Sequence, residues 1–447
     1  MLINNDLPAR LSGSEKYMSE LSNDVIIVGA GPVGLLTALA LAQEGMSVTV
    51  IESEPEIPAT PRAPVYFPST ITVLEKLGLL EDLKQISSMG TGFAQFYPDL
   101  KEVVRLNTSV MNGITYPYNL HLGQDTLAKV VLRHAEKLGV KVLFSHQFEQ
   151  IVDNTGSVTI NLSTPEGAKS ITADWLIGAD GARSAVRNGL DIEFEGTTWP
   201  VRFVAANIRA DLASCGYSDA NFVTHPTDHA VVVLMDRKTN LWRIAYSEDA
   251  ELDPENVEDR FEANCARPFI AQGVPYELVQ LRQYRLHQRA AATFRTGRVF
   301  LAGDAAHATS PVGGLGLSCG IWDGMILADV LSAVIRGEED EDILNRYATE
   351  RRRVFWEVAS PGAVENMRVL MEGDVNQRRK DLENARVAAG NPKISQMVML
   401  FAFKLIGDTL RAGSRWADAD PTPAAGIDLT LMNSQTGDHG LEALKTQ

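Results

Sequence analysis

DVIIVGAGPVGLLTALALAQEGMSVTVIES, residues 24–53, decides how this chain folds. DVIIVGAG is a buried-strand run, GPVGLLTALALAQEG is a helix, and MSVTVIES is a second strand, with Gly45 where a helix C-cap belongs. Strand, helix and strand in immediate succession form a βαβ unit, which implies a parallel sheet with a right-handed crossover. Inside it lies Gly29-x-Gly31-x-x-Gly34, with Pro32 and Val33 opening the helix. Glycines at these positions permit a tight turn, close approach of a pyrophosphate and close helix–strand packing. The helix start offers free N–H groups and a positive dipole end to phosphates. Glu52 lies 18 residues past Gly34 at the end of the second strand, where a carboxylate can accept ribose hydroxyls. The pattern predicts a dinucleotide site and does not by itself separate FAD from NAD.

The rest of the chain bounds the answer. At 447 residues, two or three packed domains are expected. The net charge of −16 argues against a nucleic-acid partner, because phosphate backbones need clustered Lys and Arg. Cys215, Cys265 and Cys319 are distant and odd in number, which fits neither a disulfide framework nor a metal site and favours a reducing compartment. No apolar h-region opens the chain, and its longest greasy stretch, Met397–Phe403, is too short for a membrane span. A cytoplasmic protein without stable membrane insertion is expected.

Residues 1–23 read as a polar extension. Residues 24–195 and 290–345 read as one discontinuous nucleotide domain, with a helix at Thr126–Leu138 and a strand at Val140–Phe144. Between 196 and 289, joined by part of 95–120, the texture is β-rich: VRFVAANIRA, AVVVLMDR and LWRIAYSE are short, β-branched and turn-bounded. Residues 346–410 read as helical and 411–447 as a tail. The expected fold is α/β: a Rossmann-like nucleotide domain with an inserted mixed β-sheet substrate domain and a helical C-terminal region.

Two later segments narrow the cofactor. Trp175–Arg187, WLIGADGARSAVR, and Gly297–Gly320, GRVFLAGDAAHATSPVGGLGLSCG, each deliver a strand into a corner bearing an Asp. The second continues into Pro311-x-Gly313-Gly314-x-Gly316 and an apolar helical run. Such an Asp can bond a ribityl or ribose hydroxyl, and such glycines let backbone N–H groups approach a ring edge. Together with the fingerprint these segments resemble the class A flavoprotein monooxygenases, the p-hydroxybenzoate hydroxylase-like aromatic hydroxylases, from about Asp24 to Leu331.

The resemblance implies FAD, with NADH or NADPH as a transient co-substrate. By it Gly29, Gly31, Pro32, Val33 and Gly34 hold the pyrophosphate and Glu52 the adenosine ribose. Arg62 and Gln124 contact the cofactor, Asp180 and Gly181 match a motif shared with the pyridine nucleotide, and Gly303 and Asp304 match the ribityl corner. Pro311 is the residue whose backbone lies over the reactive C4a edge, and Gly314, Gly316 and Leu317 line the ring. Ser318 stands where the family usually has Asn, so it serves either through its main-chain N–H or as an N-cap. The implied reaction is hydroxylation of a phenol or other electron-rich ring by O₂ through a flavin C4a-hydroperoxide. A homodimer is a family-level expectation, and the chain has no room for the thioredoxin-like domain of the larger phenol hydroxylases. Other readings are an epoxidase, an isoprenoid reductase, a halogenase (disfavoured, since no Trp-x-Trp-x-Ile-Pro segment occurs) or a flavin-binding protein without turnover.

The substrate pocket is expected between the β insertion and the flavin. Strand alternation puts Trp242, Ile244 and Tyr246 on one face and Arg243 on the other. The first face would make an apolar pocket for a plain phenol; the second would favour a carboxylated aromatic. No catalytic base is assigned and no metal is expected. His307 reads as a structural histidine, Arg351–Arg353 as a solvated helix face, and Arg183 and Arg187 equally as NAD(P)H phosphate ligands or surface ion pairs.

Overall fold

The computed structural model describes residues 23–58 and 64–429. Its first sheet is built around Asn23–Val28, whose apolar residues are buried on both sides as a central parallel strand requires. Val25 pairs in parallel with Val48 on one side and Trp175 on the other, and Leu176 pairs onward with Val299. The strand order across this sheet is 295–296, 299–301, 167–178, 23–28, 48–51 and 141–143. The fingerprint helix, Pro32–Gln43, starts on Pro with Gly31 as its N-cap. It packs against Gln124–Lys137 and against the long helix Leu315–Ile335. The helix expected at Thr126–Leu138 and the strand expected at Val140–Phe144 differ from the observed Gln124–Lys137 and Lys141–Leu143 only at their ends, whereas the strand Gln147–Asn154 of this sheet was not expected.

The second sheet has eight strands, in the order 307–308, 276–291, 194–210, 241–249, 230–236, 220–223, 92–97 and 102–107. Its two faces are covered differently. One packs on the helical segment 257–269, and the other faces the 311–316 turn and the helix Ser360–Met371. Leu315–Ile335 is the one helix among the described residues long and apolar enough to cross a membrane, and it is buried in the core against the helices Pro32–Gln43 and Asp342–Val354. Residues 411–429, read as a tail, instead pack on this core. Trp416 is buried edge-on against Trp322, and its Nε1 donates to the Met325 carbonyl.

Candidate active site

The fingerprint turn leaves room only where a ligand would need it. A Cβ on Gly34 would sit 2.0 Å from the Gly29 carbonyl oxygen, and one on Gly29 2.4 Å from the Ala179 oxygen. A Cβ on Gly31 would meet nothing within 4 Å. Glu52 braces the turn, accepting from Ala30 N (2.8 Å) with one oxygen and from Glu54 N (2.9 Å) with the other. Val33 reaches across to Gly303, so the fingerprint helix seats directly on the second Asp corner. At that corner Asp304 is exposed and accepts no hydrogen bond from any other described residue.

Next to it, Gly313 and Gly314 adopt left-handed backbone (φ 91° and 66°), closing a turn in which Gly314 N donates to Pro311 O (3.0 Å). Non-glycine residues avoid this conformation, so the turn depends on both. Gly314 is the N-cap of Leu315–Ile335 and lends it no side-chain cap, leaving the first-turn N–H groups of Leu315, Gly316 and Leu317 directed outward. Gln124 is buried in the first turn of its own helix. Open space over Gly31, a partnerless carboxylate at Asp304 and uncapped N–H groups past Gly314 fit the pyrophosphate, polyol and ring edge of FAD. Arg62 lies outside the described residues.

Two of the expected residues, Asp180 and Ser318, are tied to the local backbone. Asp180 is committed to its own loop: Oδ1 accepts from Ser184 Oγ (2.6 Å) and Oδ2 from Ala185 N and Val186 N, so it caps the short helix after it. Burial raises its pKa. Gly181, with φ of 83°, completes that corner. Ser318 caps nothing. It lies a turn inside the helix, its Oγ donating to the Gly314 carbonyl, because the glycine pair starts the helix earlier.

The second sheet settles which face of Leu241–Asp249 points inward. Trp242, Ile244 and Tyr246 fill an apolar core with Val204, Ile208 and Phe261 on the helical side, so they line no pocket. Arg243 points to the other face. Ala245, on that same face, packs with Phe203, Phe222, Leu286 and Val312, the residue after Pro311. Arg243 is 6% exposed and its Nε donates to Asn207 Oδ1 (2.9 Å). Burial lowers its pKa to about 10, with Tyr284, Tyr66 and Asp125 pulling the other way, so it stays cationic at neutral pH. The Tyr66 hydroxyl is buried with no partner among the described residues. Sequence reasoning missed Tyr66 and Tyr284, which no local pattern marks.

Behind the cofactor corner lies a charge cluster that sequence reading only half saw. Asp323, fully buried, accepts from Gly303 N (3.0 Å) and faces His307 Nε2 at 2.7 Å with one oxygen, and accepts from Arg351 Nε (2.7 Å) with the other. Arg351, also fully buried, donates onward to the Leu405 and Ile406 carbonyls. It is therefore no part of a solvated face, unlike Arg353, which pairs outside with Glu350 and Glu357. Burial works to lower the His307 pKa, but the neighbouring Cys319 and Asp323 push it up to about 10, and the ring is sandwiched by Phe294 and Phe355. His307, Cys319 and Asp323 offer metal-like spacing, with donor atoms within 4.8 Å. The Arg351 guanidinium, 3.6 Å from the Cys319 sulfur, already supplies the cation there.

Arg187 matches neither of its two readings. It is buried, donating to the Ala305 and Ala182 carbonyls with its guanidinium over the Phe194 ring, and so ties the two Asp corners together.

Comparison with known proteins agrees with this geometry. The FAD binding domain family matches residues 22–361. Para-nitrophenol 4-monooxygenase of Pseudomonas sp. (strain WBC-3) is 41% identical over 392 residues, 87% of this chain and 97% of that protein. The 6-hydroxy-3-succinoylpyridine 3-monooxygenase HspB of Pseudomonas putida (strain DSM 28022 / S16) is 38% identical over 80% of this chain and 92% of its own. The crystal structure of p-nitrophenol 4-monooxygenase PnpA from Pseudomonas putida DLL-E4 superposes with a TM-score of 0.83 at 40% identity, covering 86% of this chain and 98% of that one. Glycine turn, second Asp corner, inserted sheet and this degree of likeness together place the chain in the FAD binding domain family, among the class A FAD-dependent aromatic monooxygenases.

Proposed function

We propose that this enzyme hydroxylates a small phenol carrying an anionic or strongly polar oxygen substituent, using NAD(P)H and O₂, with p-nitrophenol the first compound to test. The observation that carries this reading is the shared face: Val312, beside Pro311, packs on the same side of the sheet as Arg243. FAD, when bound, takes a hydride from NAD(P)H and activates O₂ for transfer to the ring. In this reading Gly29, Gly31 and Gly34 receive its pyrophosphate, Glu52 its ribose, Asp304 its ribityl chain, and the N–H groups at Gly316–Leu317 its ring edge. The Pro311–Gly314 turn shapes the wall next to the substrate, and the apolar cluster around Val312 excludes water.

Arg243 orients the substrate through that substituent, a nitro or carboxylate oxygen, the chemistry that a buried guanidinium recognises best. Arg243→Met should raise KM for p-nitrophenol about 10–100-fold, the worth of one charged hydrogen bond. The fold should survive, because Met suits a buried apolar site. Steady-state kinetics beside FAD content checks this; an unchanged KM with full FAD would remove Arg243 from the pocket. For the pyridine nucleotide, exposed Arg183 faces a basic group of Arg285, His287 and Arg289. Burial and these three arginines hold the His287 pKa down, and such a patch suits transient phosphate binding. The three cysteines are all free thiols, which supports a cytoplasmic setting.

A further inference from the structure

A phenolate is a stronger nucleophile than a phenol, so a hydroxylase acting on a neutral phenol gains by removing its proton inside the pocket. The wall around Val312 carries a group suited to that task. Ser247 stands directly opposite Phe203 and two residues past Ala245, so its side chain lies on the face that packs against Val312. Its Oγ is 2.5 Å from His229 Nε2. The other ring nitrogen, Nδ1, is 3.0 Å from the His225 carbonyl oxygen, which can only accept. Nδ1 therefore carries the hydrogen, and Nε2 presents its lone pair to the serine hydroxyl.

His229 itself is buried, yet the turn that carries it surfaces at once: Pro226, Thr227 and Asp228 are exposed. The turn is held in place. His225 Nδ1 accepts from Asp228 N, and His225 N donates to the Leu370 carbonyl. The titratable groups acting on His229 are His225 and Asp228 of its own turn; the neighbouring strand presents Ser247, and the helix Ser360–Met371 meets the turn through its Leu370 carbonyl. Burial keeps His229 below the usual histidine range, against the opposing hydrogen bond to the His225 carbonyl, so the ring is neutral and free to accept a proton.

Building on the phenol reading above, we propose that Ser247 and His229 form a proton relay from the substrate hydroxyl to solvent. Ser247 Oγ accepts the phenol proton while passing its own to His229 Nε2. The products are phenolate, an unchanged serine and an imidazolium, which then gives up a proton to water at the exposed turn. Charge and protons balance, and no redox partner enters.

The relay should matter in proportion to how firmly the phenol holds its proton. The test uses FAD-loaded enzyme and two phenols: p-nitrophenol, acidic enough to ionise in mildly alkaline buffer, and hydroquinone, which stays protonated. The pH profile of kcat/KM is measured for wild type, His229→Gln, Ser247→Ala and Ser247→Thr, each checked for FAD content and thermal stability. With hydroquinone near neutral pH, His229→Gln and Ser247→Ala should each lose about 100-fold, a typical general-base contribution. The defect should shrink as pH rises, Ser247→Thr should retain most of the rate, and the loss on ionised p-nitrophenol should be about tenfold smaller. Equal losses on both phenols at every pH, or none on either, would overturn the relay. A wild type that oxidises neither phenol removes the substrate reading, and the relay with it.

Discussion

Asp323→Ala should destabilise the folded protein by about 3–5 kcal/mol, because it strands two buried cations without their counter-ion. Arg351 and His307 both turn to this one carboxylate, and all three are fully buried. The carboxylate also holds Gly303 N, so the Asp304 corner should loosen together with the long helix. Denaturant unfolding of the FAD-free protein measures the loss directly. A milder change, His307→Gln, isolates the pH dependence. The folded pKa of His307 is raised to about 10, so its stabilising contribution is complete below the unfolded value near 6.5 and disappears as pH rises through about 10. Asp323 is held low by His307 and Arg351 against the opposing effect of burial, so its contribution is lost only on strong acidification. Stability should therefore fall on the alkaline side in wild type, and this slope should flatten in His307→Gln. An alkaline slope unaltered by the substitution would contradict the charged pair.

The second large effect separates cofactor from fold. Gly31→Val places its side chain in open space, at a residue whose φ of −71° any amino acid adopts. The FAD-free protein should unfold as wild type does, yet bind FAD about 100-fold more weakly, because the new methyls occupy the room that the phosphates need above the helix start. Gly34→Ala differs in kind: its Cβ would lie 2.0 Å from the Gly29 carbonyl oxygen. It must push helix from strand, costing about 1–3 kcal/mol of stability as overpacking does, along with FAD affinity. Titration of the two variants with FAD, beside their unfolding curves, reads both effects. Equal stability losses in Gly31→Val and Gly34→Ala would mean that the space over Gly31 serves packing, not a ligand.

How far such features were legible depends on the range of their causes. Gly29 to Glu52 could be read because every requirement is local: a turn, a helix start and an acid at the next strand end. Asp180 carries a ligand motif, but the three donors within the next six residues that bind it could not be read from the motif. The face of Trp242 and Arg243 could not be chosen from alternation, since period 2 distinguishes the faces without saying which one meets the 311–316 turn. Arg351 was the avoidable error. Three arginines in a row suggested solvent, yet Leu344, Tyr347, Arg351 and Val354 follow the helical stripe spacing and are all buried. A charge on an apolar stripe asks for a buried partner, and Asp323, in a different helix, lies beyond the reach of periodicity. Ser247 and His229 meet only through the pairing of separate strands, so no local signal joins them.

The central claim, that this fold holds FAD in order to hydroxylate a phenol, meets its most direct test in one assay on the purified, FAD-supplemented protein. NAD(P)H oxidation, O₂ uptake and product are followed together as p-nitrophenol is added. The expected result is a yellow protein whose NAD(P)H oxidation accelerates with the phenol, consuming O₂ in step with hydroxylated product. A colourless protein that takes up no FAD, or one whose phenol-dependent oxidation proceeds without O₂, would contradict it.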